Sequence, residues 1–164
     1  MRGTSFLVGL MLAGVAAWVT LAGDSWPETP DDKLTPGEIA TTDGAEICGW
    51  VDGKSYSQRH RLPFDIERAR RVFDRYGIDP HLHGQFELDH RVPLCLGGAD
   101  TEKNLWPQPR KGPWTAEMKD RLEAHMCKKM CEYTNGSSLG WSLVRGIQSY
   151  FLEDWREGYR EIFK

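Results

Sequence analysis

The stretch Phe86–Gln108, FELDHRVPLCLGGADTEKNLWPQ, constrains this chain more than any other. It holds two short runs suited to extended backbone, Gln85–Asp89 and Asn104–Gln108, joined by a long connection that turns at Gly97-Gly98. Gly112-Pro113 ends the segment, and Thr115 can cap a helix reaching about Cys131. Met118, Leu122, Met126 and Met130 recur at every fourth position of that helix, which gives it an apolar stripe to lay against the hairpin. The expected order is strand, loop, strand, helix, within an α+β domain.

The flanks supply further helices. Ile47–Val51 reads as a short strand followed by an Asp52-Gly53 turn, and Ser55–Pro63 as a polar, basic segment. Asp65 can cap a helix to about Tyr76, with Ile66, Ala69, Val72 and Phe73 on one face and Gly77 as its stop. The opposite face carries Arg68, Arg70, Arg71 and Arg75. It reads first as a solvated face partnered by Glu67 and Asp74, and second as a phosphate-binding one. His81 and His83 share a face if extended, which invites a metal reading, but Pro80 and Gly84 favour a surface loop. A last amphipathic helix over roughly Leu139–Phe163 presents Val144, Ile147, Phe151, Trp155 and Tyr159 for packing on the domain.

The N-terminal part differs in kind. Residues 3–23 carry no charge, follow Arg2 and end in small residues, the pattern of a secretory signal peptide or a membrane anchor (residues 1–23). Residues 24–44 are rich in Pro, Asp, Thr and Gly and predict a flexible linker. The domain proper is expected over 45–135, with 136–164 as the C-terminal helix. Six acidic residues against two basic ones in 1–44 leave the remainder nearly neutral, so tight binding of nucleic acid by bulk charge is excluded.

The central stretch carries chemistry. His90 has a side chain able to take a proton from water near neutral pH. Asp89 beside it is an oxygen ligand for a hard divalent cation, and Asn104 faces it from the second strand, placed to fix the His90 loop or ring. The helix beginning at Thr115 brings its positive end toward a phosphate. These are the parts of a one-metal phosphodiester-cleaving site.

Leu88-Asp89-His90, Pro93-Leu94, Leu96-Gly97-Gly98 and Asn104-Leu105-Trp106-Pro107-Gln108 together make a pattern far more specific than the Asp-His pair alone. With Ala116, Lys119-Asp120, Glu123, Cys131 and the upstream Cys48 and Tyr76-Gly77, this pattern resembles the HNH nucleases, and among them small exported bacterial proteins. The resemblance is dense over 85–131 and thinner over 45–84. It implies a small ββα-metal finger with flanking helices, His90 as general base, Asp89 as metal ligand and Asn104 as the positioning amide.

One departure matters. HNH nucleases supply a last His or Asn from the helix, and here that neighbourhood offers Thr115 and Glu117. Glu117 is therefore the expected second ligand, for Mg²⁺ or Mn²⁺. Arg91, Arg110, Lys111 and Lys119 are expected to hold the nucleic-acid backbone without reading bases. His125, two turns along the helix, is expected at the surface.

Four cysteines, Cys48, Cys95, Cys127 and Cys131, allow three pairings. Disulfides are the default for an exported chain, and a four-cysteine zinc site is the rival, although the usual Cys-x-x-Cys pairs are absent. Cys127 and Cys131 lie one helical turn apart, so each is expected to pair outward. The resemblance implies Cys48–Cys131, and Cys95–Cys127 goes with it. The expected activity is an exported endonuclease of low sequence specificity acting on DNA or RNA. Its alternative is a degenerate HNH-fold binding or structural module. No motif calls for an obligate protein partner.

Overall fold

The computed structural model describes residues 26–134 and 141–164. The signal or anchor expected over 1–23 lies outside them. No helix among the described residues is long and apolar enough to cross a membrane.

The elements are α1 (Gly44–Cys48), α2 (Tyr56–His60), α3 (Ile66–Arg75), β1 (Phe86–His90), β2 (Leu105–Pro109), α4 (Ala116–Thr134), α5 (Trp141–Leu152) and α6 (Trp155–Ile162). β1 and β2 form a two-stranded antiparallel sheet in which Asp89 pairs with Trp106 and His90 with Leu105. α4 crosses this hairpin and is the spine of the core. Leu122, Met126 and Met130 on its inner face are buried with Ile47, Val92, Leu96, Val144, Phe151 and Trp155. Burial of that stripe outweighs the weak intrinsic pattern of a helix rich in charge.

The connection between the strands is fixed at both ends by Asn104. Its Oδ1 accepts from Val92 N (2.9 Å), and its Nδ2 donates to the carbonyls of Val92 (2.8 Å) and Ala99 (2.9 Å). Glycine is required at the turn. Gly97 has φ +82°, and a Cβ on Gly98 would collide with the Val92 carbonyl. Both disulfides are formed. Cys48–Cys131 (Cα–Cα 5.4 Å) joins α1 to the end of α4, and Cys95–Cys127 (5.8 Å) joins the interstrand loop to its middle. No free cysteine remains for a zinc site.

Three expectations are corrected. The segment expected as a flexible linker is, from Trp26 onward, a strap bound to the domain. Trp26 packs on Phe86 at 4.8 Å, Thr35 is buried and donates to Leu105 O (2.8 Å), and Ile39 bridges Gly98. Its polar composition is satisfied by backbone hydrogen bonds to the interstrand loop, such as Gly37 N to Lys103 O (3.0 Å) and Ala99 N to Glu38 O (2.8 Å). Ile47 and Cys48 lie in helix α1 rather than a strand, because Asp43 caps it by accepting from Ala45 N and Glu46 N. The basic segment after it contains α2, opened by a Ser55–Gln58 capping box.

The single C-terminal helix is two. α5 ends at Leu152, and Asp154 starts α6 by accepting from Arg156 N. The break is held by Arg91, whose guanidinium donates to the carbonyls of Phe151 (3.3 Å) and Leu152 at the negative end of α5. Val144, Phe151 and Trp155 are buried, so both helices pack on the domain.

Candidate active site

The end of β1 turns two adjacent side chains to different surroundings, as successive residues of an extended strand must be. Asp89 faces α4. His90 faces the N-terminal end of α3 and the interstrand loop.

On the His90 side, Nε2 lies 3.2 Å from Asp100 Oδ1. The Asp100 side chain, 4% exposed, also accepts from Arg68 Nη1 (3.0 Å) and from Leu62 N (2.7 Å). Burial works to raise the Asp100 pKa. The hydrogen bonds from His90 and Leu62 and the charges of His90 and Arg68 outweigh it and hold the group at about 2. A carboxylate has no proton to give, so His90 Nε2 carries the hydrogen of this contact, and in the neutral ring the lone pair then lies on Nδ1. Nδ1 takes no hydrogen bond among the described residues. His90 opens on a cleft of about 300 Å³ shared with Arg61, Leu62, Phe64, Arg68 and Arg110.

On the Asp89 side, the buried Lys119 ammonium is the centre. It donates to Asp89 Oδ2 (2.6 Å), to the His90 carbonyl (2.7 Å) and to Glu123. Asp89, Asp120 and Glu123 bring carboxylate oxygens within 4.8 Å of one another. Burial and then the neighbouring Asp89 charge raise the pKa of Asp120. Burial raises that of Glu123 against the pull of Lys119, with Asp89 and Asp120 adding to the rise. Asp89, Asp120 and Glu123 thus gather oxygen donors of the kind that could hold a hard divalent cation, around an ammonium that already lies between Asp89 and Glu123. The two sides meet at Glu87 and Arg110, which line the His90 cleft and whose charges act on, or are acted on by, Asp120.

The other residues expected at the site separate. Glu117 is exposed and stands outside the carboxylate group. At about 100° per residue it sits roughly 120° around α4 from Glu123, whereas Asp120 sits only about 60° away. Asn104 is wholly buried and fixes the loop rather than the imidazole ring. Arg91 is buried on Thr35 O, Asp32 and the end of α5, and Lys119 is buried on Asp89 and Glu123, so neither reaches a phosphate. Arg110 is half-exposed on Glu87 at the cleft rim, and Lys111 is exposed beyond it.

Three other groups named from the sequence stand apart from the carboxylate group. His83 stacks on Phe73 at 4.1 Å, and His81 is outside the carboxylate group. His125 is half-buried against Phe163. The arginines of α3 are largely answered by acids: Arg70 by Glu67, and Arg71 and Arg75 by Glu102.

Asp100, Asp120 and Glu123 are the members that sequence reasoning did not assign. Asp120 and Glu123 stand three apart on a helix, and with Lys119 they mark the face turned to the strand end. Asp100 follows the glycine turn without any local pattern pointing to His90. No protein-family model matches the chain, and neither a curated protein nor a solved structure is similar enough to it to count as a match.

Proposed function

We propose that this protein is an exported endonuclease of the HNH type, hydrolysing phosphodiester bonds in nucleic acid with low sequence specificity. One observation carries the reading. A histidine at the end of the first strand of a β-loop-β-α unit has one ring nitrogen tied to a buried carboxylate and the other without a partner among the described residues, and it lines a cleft ringed by arginines.

His90 Nδ1 takes a proton from the attacking water, and the imidazolium that forms is stabilised by Asp100 through Nε2–H. Arg61 and Arg110 at the cleft mouth attract the phosphate. Asn104 and Lys119 are positioning residues. The first holds the interstrand loop, and the second ties the His90 carbonyl and Asp89 to α4. Asp89, Asp120 and Glu123 would hold Mg²⁺ or Mn²⁺, which would supply positive charge for the phosphate and the departing 3′ oxygen. Two disulfides and a charge-free N-terminal run support an exported setting.

A second reading is a non-catalytic module that keeps the fold without the metal. The position of Lys119 favours it, since its ammonium already supplies a cation between Asp89 and Glu123. Cleavage of supercoiled plasmid and of a single-stranded DNA circle with Mg²⁺, Mn²⁺ or EDTA separates the two. Metal-dependent cleavage lost in His90→Ala supports the nuclease, and its absence on both substrates leaves the module.

A further inference from the structure

The cleft beside His90 is walled by more than charge. Leu62 and Phe64 are 54% and 75% exposed on its rim, and Ile66 follows at 59%. Large apolar groups left this open between two arginines gain nothing from folding. Of the rim cations, Arg68 is answered by Asp100 and Arg110 by Glu87, while the exposed Arg61 guanidinium has no ion pair or hydrogen bond among the described residues. A second groove, lined by Ser57, Gln58, Arg61, Leu62 and Pro63, shares Arg61 and Leu62 with the first. The two together make a track that passes His90.

We infer that this track takes a single strand, with an unpaired base lying on Phe64 and Leu62 and its phosphate on Arg61. The inference rests on the nuclease reading of His90 and names the substrate class of that site. The chemistry selects one occupant. An open aromatic face beside a free guanidinium matches a nucleotide, which offers a flat π surface and an anion a few bonds apart. In a duplex the base faces are stacked within the helix and only edges and backbone are presented, so Phe64 would meet no partner. The near-neutral charge of the domain agrees, since duplex binding without sequence contacts relies on many phosphate contacts.

The test uses the oxidised full chain carrying His90→Ala, so that the probe is not cut. Binding is measured by fluorescence anisotropy for a labelled oligothymidylate, an abasic oligomer of equal length and a duplex of equal length. The oligothymidylate should bind more tightly than both of the others. Phe64→Ala in the same background should weaken it roughly 5- to 150-fold, the range that base stacking on an aromatic side chain gives, and Phe64→Trp should restore it. Arg61→Ala should weaken both single strands alike and lower the salt slope by about 0.7. Because Phe64 and Arg61 are exposed, unchanged melting temperatures check that the variants fold. Equal binding by the Phe64→Ala variant, or a duplex bound as well as the single strand, overturns the inference. Metal-dependent cleavage of a single-stranded DNA circle and of supercoiled plasmid by the unmutated chain is scored separately. Cleavage of either with no Phe64 effect removes this inference alone, and Phe64-dependent binding without cleavage of either removes the nuclease reading alone.

Discussion

The Asp100 carboxylate accepts a hydrogen bond from His90 Nε2 at 3.2 Å across the interstrand loop. This contact fixes which ring nitrogen bears the proton and couples the acid stability of the fold to the candidate base. The Asp100 pKa is held at about 2, below an ordinary aspartate near 3.8. A depressed carboxyl contributes stability that is present above the unfolded value and is lost as the pH falls through the folded one. Asp100 should therefore contribute about 2 kcal/mol at neutral pH, lost between pH 4 and pH 2. Urea titrations of the parent and Asp100→Asn across that window check it. The stability difference should shrink toward acid, and a constant difference contradicts the linkage.

The carboxylate group predicts where a divalent cation acts. Mn²⁺ or Mg²⁺ should raise the melting temperature, since any ligand that binds only the native state does so. Asp120→Asn should abolish most of that rise, whereas Glu117→Gln should leave it unchanged, because only Asp120 belongs to the group with Asp89 and Glu123. Thermal scans with and without metal and EDTA measure both. An effect at Glu117 and none at Asp120 would restore the assignment first expected from the sequence.

Asn104 predicts a large cost of a different kind. Asn104→Ala leaves Val92 N, Val92 O and Ala99 O buried without their partner. At 1–3 kcal/mol for each unsatisfied group, partly relieved by relaxation, the loss should be about 3 kcal/mol or more. Equilibrium unfolding measures it. A loss below about 1 kcal/mol would mean that the loop is held by its backbone and the disulfide instead.

The disulfides predict strong dependence on oxidation. Cys48–Cys131 closes a separation of 83 residues and Cys95–Cys127 one of 32. Chain entropy alone gives about 4 kcal/mol for either taken singly, and less than the sum for both because the loops overlap. Cys95→Ser with Cys127→Ser should lower stability by roughly 2–5 kcal/mol. An unchanged urea midpoint in that pair of substitutions contradicts the account.

Much of the fold could be read from local pattern. The β-loop-β-α order, the Asp65 cap and the α4 stripe through Leu122, Met126 and Met130 all follow from periodicity and capping. The strap did not, because what holds it is a hydroxyl hydrogen bond from Thr35 to Leu105 O and a backbone bridge from Ile39 to Gly98, residues about 60 to 70 positions away, which composition does not encode. The break between α5 and α6 depends on Arg91, a residue that reads as a phosphate contact until the carbonyls it meets are seen. In the site, His90 and Asp89 were marked by their neighbours in sequence. Asp100 was not, since its partner is defined only by how Gly97-Gly98 folds the loop back. Glu117 and Asp120 are both acids of the first α4 turns, and only the helix phase relative to β1 distinguishes them.

The most direct measurement is cleavage of supercoiled plasmid and of a single-stranded DNA circle by the oxidised full chain, scored against time with Mn²⁺, Mg²⁺ and EDTA and beside His90→Ala. The account predicts cleavage that requires the metal, that EDTA abolishes, and that falls by at least about a hundredfold in His90→Ala, the scale of a lost general base. No cleavage of either substrate with either metal, or equal cleavage by the parent and His90→Ala, contradicts it.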